Sequence, residues 1–358
     1  MKVGIITILL FGFAIAALGQ AEPPQFQHAN LIIRNTSDLA GEIRRIASEK
    51  QASWTVYAVP SIASDQQMCC FNSSDGIITS CGCALEKQNS GQSIRNFEGG
   101  TSAHLEPRPY FYVFLRSEAG VVQKVRSHSA DCPIDADAMT VYWLGSQRAA
   151  DSVAFLTSLV GATPEESHGE HFTDGAILAI AYTYDSSADQ ALDKFLAASE
   201  PSSIRKKAAF WTAQMRGKAG LEKLIAVMHS DSDDQFRAEL TFDVSQSKQP
   251  EAQEELLRVA HQDQSPHVRG QALFWLAQKA GKKIAGAIND AIQSDPDTEV
   301  KKRAVFALTQ MPEGEGVPML IQVAKTNNNP EVRKQAVFWL GQSHDPRALD
   351  FIESVLTR

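Results

Sequence analysis

A segment of eleven residues recurs at a fixed spacing of 32 with no gap: Ile204–Gln214, Phe236–Gln246, Val268–Gln278, Val300–Gln310 and Val332–Gln342. Phe172–Tyr182 is a more distant sixth copy. One column of the alignment is glutamine (Gln214, Gln246, Gln278, Gln310, Gln342), and another is phenylalanine (Phe210, Phe242, Phe274, Phe306, Phe338). A period of this length constrains the fold more than any other feature of the chain. Each unit is one supersecondary element that cannot bury its own apolar surface, so the core must form by stacking units in a line.

Between these segments runs a second helical pattern, as in 219–228 and Ala252–Ala260. Polar turns separate the two: Ser230–Asp234, Asp295–Thr298 and Asn327–Pro330. Asp and Asn there can cap the helix that follows, and proline cannot continue the one before. Each unit is therefore a helical hairpin. From Ser152 onward the pattern predicts seven first (A) helices and six second (B) helices, the last element being the A helix Ala348–Leu356.

The period, the hairpin form and two strings carry a family resemblance. Asn329-Pro-Glu-Val-Arg-Lys-Gln-Ala-Val-Phe-Trp-Leu-Gly341 followed by Asp345-Pro-Arg-Ala-Leu349 resembles the HEAT repeat, in the short variety of phycobilin lyase subunits. The resemblance implies a right-handed α-solenoid of HEAT-like hairpins, with the B helices lining the concave surface; with the small α+β domain read below for the preceding residues, the expected fold is mainly α. It implies little about function, because such arrays serve many unrelated partners.

At 100° per residue, the first column of helix B (Ile204, Phe236, Val268, Val300, Val332) and the fifth (Ala208, Leu240, Ala272, Ala304, Ala336) share one face with the sixth and ninth. That face is the expected core. The Phe and Gln columns fall on the opposite side, among positions that are mostly charged or amide. They predict a stripe of phenylalanines flanked by glutamines, roughly 40 Å long at helix-packing distances. An exposed apolar stripe of that length marks an interaction site, and glutamine amides suit a peptide backbone. The alternatives are rings packed on one another between repeats, or a stripe covered by the N-terminal domain.

The position after Phe reads Ala179, Trp211, Asp243, Trp275, Ala307, Trp339, an alternation every 64 residues that predicts interdigitation of large and small side chains. A basic column (Arg205, Arg237, Arg269, Lys301, Arg333) sits in the first turn of each B helix, against the helix dipole. Acids of the preceding turns, such as Asp233, Asp234, Asp297, Glu299 and Glu331, are the expected partners of a bracing ladder.

The remainder of the chain reads as a leader and a small domain. Lys2 precedes an uncharged apolar run, Val3–Leu18, and small residues up to Ala21 offer cleavage sites. Residues 1–21 are expected to be a cleavable signal peptide, 22–150 a small α+β domain with cysteines, and 151–358 the repeat array. The expected location is periplasmic or extracellular, with no membrane insertion after cleavage. Within 22–150 the expected elements are a capped helix at Ser37–Ser48, strands at Trp54–Val59, Tyr110–Leu115, Val121–Val125 and Thr140–Leu144, and a loop from Gln88 to Ser102. An oxidising compartment makes Cys69, Cys70, Cys81, Cys83 and Cys132 disulfide candidates, the first four stapling one small hairpin. The competing possibility is a soft-metal site. Adjacent Cys69 and Cys70 are a poor start for a tetrahedron.

The net charge of −8 divides as −2 over 22–150 and −7 over 151–358, with Lys2 making the balance. Neither part is a polybasic module, so no nucleic-acid partner is expected. No His-Glu pair of the kind that holds the di-iron centre of HEAT-type deoxyhypusine hydroxylases occurs; His168-Gly-Glu-His171 has the wrong spacing. Lipase-type serine, zincin and phosphate-loop patterns are absent. Cys132 lies near His128 but beside Asp131 and Pro133, which give a thiolate no support. The expectation is an exported scaffold that binds a protein or peptide, with no cofactor, metal or catalytic residue. The alternatives are an exported enzyme or metal-binding protein using the cysteine-rich domain, or a relative of the HEAT-type lyases and hydroxylases.

Overall fold

The computed structural model describes residues 21–49, 51–62, 70–72, 78–81, 83–86, 109–130, 134–161, 170–280, 284–311 and 314–357. Residues 1–20, the Gln88–Ser102 stretch, Cys69, Cys132 and His168 lie outside them. No helix among the described residues is long and apolar enough to cross a membrane.

The N-terminal part is built on a five-stranded sheet. Its strands are β2 (Asn30–Ile33), β3 (Ser53–Pro60), β7 (Tyr110–Glu118), β8 (Val121–Ser129) and β10 (Thr140–Ser146), in the order β2-β10-β3-β7-β8. β10 runs parallel to both β2 and β3, whereas β3-β7-β8 is antiparallel. The apolar runs around 54–59 and 110–115 form the two central strands, buried on both faces. Strand β2 has no sequence signal comparable to theirs: it is a short edge strand and mostly exposed. Smaller pairings are β1 (Phe26–Gln27) with β9 (Ile134–Asp135), β9 with β6 (Cys83–Ala84), and β4 (Cys70–Asn72) with β5 (Ile78–Cys81). Helix α1 (Leu39–Ala47) is capped by Asp38, whose carboxylate accepts from the Gly41 amide.

The array follows as predicted from the period. Its A helices are α2 (Ala149–Leu159), α4 (Ser186–Leu196), α6 (Gly217–Ser230), α8 (Glu251–Gln262), α10 (Ala285–Ser294), α12 (Val317–Thr326) and α14 (Pro346–Leu356). Its B helices are α3 (Glu170–Tyr182), α5 (Ser202–Met215), α7 (Asp234–Gln246), α9 (Pro266–Ala280), α11 (Thr298–Thr309) and α13 (Pro330–Gln342). Asp185, Asp233, Asp297, Asn329 and Asp345 cap the helices after them through side-chain oxygens, which is why hairpins turn where they do. Residues of the first, fifth and ninth columns are buried throughout the five regular B helices. Successive B helices pack closely along the array, and successive A helices touch far less, so the B side is the shorter, inner side.

Sheet and array share one core. Tyr57, Phe111 and Val125 of the sheet belong to the same cluster of buried side chains as Phe172, Ile177 and the repeat columns. Strand β8 lies on α3, where a Cβ on Gly175 would meet the Val125 carbonyl oxygen at 2.3 Å. The hydroxyls of Tyr57 and Ser152 are 3.0 Å apart across the same boundary, and a bridge joins Ser61 to Thr183.

Candidate functional site: an aromatic ladder on the B helices

Each B helix from α5 to α13 presents its Phe to the neighbouring repeats. Phe210 and Phe242 stack at 6.4 Å with ring planes 7° apart, and Phe274 and Phe306 at 5.8 Å and 8°. Between these pairs a tryptophan is wedged. Trp275 lies 4.8 Å from both Phe242 and Phe274, and Trp339 lies 4.8 Å from Phe306 and 5.0 Å from Phe338. Trp211 continues the series beyond Phe210 at 4.9 Å, with its Nε1 donating to Asp174 at 2.7 Å.

The 64-residue alternation in sequence therefore has a geometric meaning. Where the column after Phe is tryptophan, the indole spreads two phenyl rings. Where it is Asp243 or Ala307, the phenyl rings close on each other. The result is a continuous ladder of rings from α5 to α13. Its first four phenylalanines are half-buried, and Phe338 is 53% exposed. Two readings of the Phe column thus combine: the rings pack on one another between repeats, and their outer edges remain on the surface. Aromatic contacts of this kind add about 0.5–1.5 kcal/mol each beyond area burial.

The glutamine column is less uniform. Gln278 and Gln342 are exposed, whereas Gln214, Gln246 and Gln310 are half-buried. Gln246 and Gln310 turn their amides onto the preceding hydroxyls, Ser245 and Thr309, and Gln246 also accepts from Lys279 at 3.3 Å.

Behind the rings runs the basic column, with partners other than those expected. Arg205 pairs with Asp231, Arg237 with Asp263 at 3.0 Å, and Arg269 with Asp295 at 2.8 Å. Each acid stands 26 residues on, in the turn after the next A helix, so every pair bolts one repeat to its successor. Arg237, Arg269 and Arg333 also donate to carbonyls of the turn ahead of their own helix. Where the corresponding acid is Asn327, the cation is Lys301, which donates to the Gln293 carbonyl instead. Arg205 also lies over the Phe236 ring at 3.7 Å.

One member of the alternating column is chemically out of place. Asp243 occupies a tryptophan slot beside the Phe210–Phe242 stack, is 6% exposed, and forms no hydrogen bond among the described residues. Burial, and then the nearby Glu239 carboxylate, push its carboxyl up to about 8. From the alternation of large and small residues alone, this column belongs to packing. An acid in a column of Trp and Ala was the signal available for more.

Cys70 and Cys81 stand directly opposite each other in the β4–β5 pair, and Cys83 aligns with Ile134 in the β6–β9 pair. His128, in β8, packs edge-on to Phe114 at 5.3 Å, with both ring nitrogens buried and unpartnered. Desolvation pulls its pKa down to about 3. Among the described residues no three His, Cys, Asp or Glu side chains converge to hold a metal ion.

Stacked helical hairpins with capped turns, an arginine–aspartate brace and a closely packed inner row of helices define an α-solenoid. Residues 287–358 match the family described as HEAT repeats, and the same unit extends without a gap back to Ile204. Residues 287–358 are HEAT repeats. Among solved structures it is similar to Escherichia coli YibA, at 23% identity over 53% of this chain and 67% of that one, with a TM-score of 0.34. It is also similar to human deoxyhypusine hydroxylase, at 16% identity over 59% and 80%, TM-score 0.31. A third likeness is to the complex of CpcE and CpcF of phycocyanin lyase from Nostoc sp. PCC7120, at 17% over 44% and 97%, TM-score 0.32. No curated protein matches the chain by sequence.

Proposed function

We propose that this protein is an exported scaffold that binds a protein or peptide along the inner, B-helix face of its array, with Phe210, Phe242, Phe274, Phe306 and Phe338 as the apolar contact and the Gln column as its polar border. The observation that carries the reading is the ladder itself. An unbroken row of half-exposed rings, set on helices locked together by buried ion pairs, is a rigid apolar track, and apolar surface of that extent is characteristic of interaction sites. Rigid rings lose little side-chain entropy when a partner covers them. Amides along the border can both donate to and accept from a peptide backbone.

The test is the double substitution Phe274→Ser and Phe306→Ser, which removes one stacked pair from the middle of the track. The variant should keep its far-UV circular dichroism and lose the partners that the wild type captures from an extract of its own cell envelope. A folded variant that retains the same partners refutes the reading.

For the N-terminal part we infer that the cysteines form disulfides. The opposed backbone positions of Cys70 and Cys81 support a bridge across that hairpin. A free-thiol count with elemental analysis of the purified protein checks it. One thiol and no metal is expected; stoichiometric metal would sink the disulfide assignment and favour a metal-binding role for this region.

A further inference from the structure

Two carboxyl groups sit on one side of α7, a turn apart, and between them leave acceptor oxygens without a donor. Glu239 uses Oε1 to bind Lys206 at 2.8 Å and to accept from Gln235 at 3.1 Å, while its Oε2 is buried with no donor. Asp243 has no donor for either oxygen among the described residues. A buried acceptor without a donor, as Glu239 Oε2 is, is rare in folded proteins and costs stability.

Packing does not explain Asp243. The equivalent slot in α11 holds Ala307, and there the phenyl rings of Phe274 and Phe306 stack as they do beside Asp243. The carboxyl is therefore surplus to the ladder. Nor is it an ion pair of the array, because the cations on the helices packed against α7 are engaged elsewhere. Lys206 is held by Glu239, Lys279 by Gln246, and Arg269 by Asp295; Lys207 also has a partner.

Resting on the proposed role of the ladder as a binding track, we propose that Glu239 and Asp243 recognise a basic side chain, a lysine or arginine of the bound segment, whose alkyl stem lies on the Phe210–Phe242 rings while its cation reaches the two carboxyls. The chemistry of both halves fits. Aromatic faces attract a cation through their quadrupole, and a charge arriving beside Glu239 Oε2 supplies the missing donor. Glu239 is part-exposed and forms the entrance; Asp243 lies one turn deeper. The raised pKa of Asp243 adds a signature, since a neutral carboxyl must release its proton to pair with the cation. Binding of a cation is then linked to pH and strengthens as pH rises toward 8.

The probes are two fluorescently labelled peptides of alternating leucine and serine, one with a central arginine and the other with citrulline, its neutral isostere. Anisotropy titrations on the full-length protein should give tighter binding for the arginine peptide, by at least tenfold at pH 8. That preference should fall toward unity on going down from pH 8 to 6, as the competent ionised fraction falls. In Asp243→Ala, which α11 shows to be compatible with the ring stack, and in Glu239→Gln, the two peptides should bind alike. Equal affinity of the two peptides for the wild type overturns the recognition of a basic side chain and leaves the track reading intact. Absence of binding by both overturns the two together.

Discussion

Replacing Asp243 by alanine should stabilise the array, and by an amount that depends on pH. Folded Asp243 keeps its proton up to about pH 8, whereas the unfolded carboxyl releases it above 3.8. Between those values the folded state binds one more proton than the unfolded state, so stability falls as pH rises, by about 1.4 kcal/mol per unit. From pH 5 to pH 8 the loss is about 4 kcal/mol, an appreciable part of a typical domain's stability. Below pH 3.8 the contribution is fully present, and above about 8 it is gone. Alanine does not titrate, and Ala307 shows that the rings stack over it. Urea unfolding followed by far-UV circular dichroism at pH 5, 6, 7 and 8 gives the free-energy difference between variant and wild type, in which all other titrating groups cancel. That difference should move by about 4 kcal/mol in favour of the variant across the series. Curves that stay parallel within about 1 kcal/mol would refute the argument that Asp243 is buried without a partner.

Three further substitutions probe the scaffold. Arg269→Leu leaves Asp295 buried and unpaired and should cost about 3–5 kcal/mol, most of it recovered in the Arg269→Leu, Asp295→Leu double variant; a full additive loss would show that the pair is not coupled. Gly175→Ala forces a methyl group against the Val125 carbonyl, so it should loosen the sheet from α3 and raise proteolysis at that boundary, whereas Gly270→Ala displaces only the flexible Arg303 side chain and should be near neutral by thermal melt. His128→Leu should flatten the acid limb of stability. The folded imidazole stays neutral down to about pH 3 and the unfolded one protonates below about 6.5, so wild-type stability is complete above 6.5 and falls as pH drops through that window, an effect the variant should lack in acid urea titrations.

The fold of the array was legible because its information is local and repeated. Apolar columns at helical spacing, Asp and Asn caps, and a strict period each act within one hairpin, and six copies reinforce one another. The Arg column reads as a brace from the sequence alone, which points to acids of the preceding turns as partners. The true partners, Asp231, Asp263 and Asp295, lie across a helix, and only the stacking of one repeat on the next brings them to Arg205, Arg237 and Arg269. Helix α1 and the four stronger strands of the sheet were also readable from apolar runs. Strand β2 was not, because an exposed edge strand carries no burial pattern. The parallel placement of β10 between β2 and β3 is a long-range choice that no local signal encodes.

What the sequence by itself determined is the unit: a 32-residue hairpin with one apolar face, a phenylalanine turned away from it, and a large-small alternation behind that phenylalanine. The tertiary structure decided what the alternation does. Rings separated by 32 residues meet only when helices stack, and then the width of the side chain after each Phe sets whether two phenyls touch or an indole parts them. The same stacking removed water from Asp243, and turned an ordinary carboxylate in the sequence into a buried, unpartnered acid on the track. Propensity and capping act along the chain, but desolvation is a property of neighbours in space.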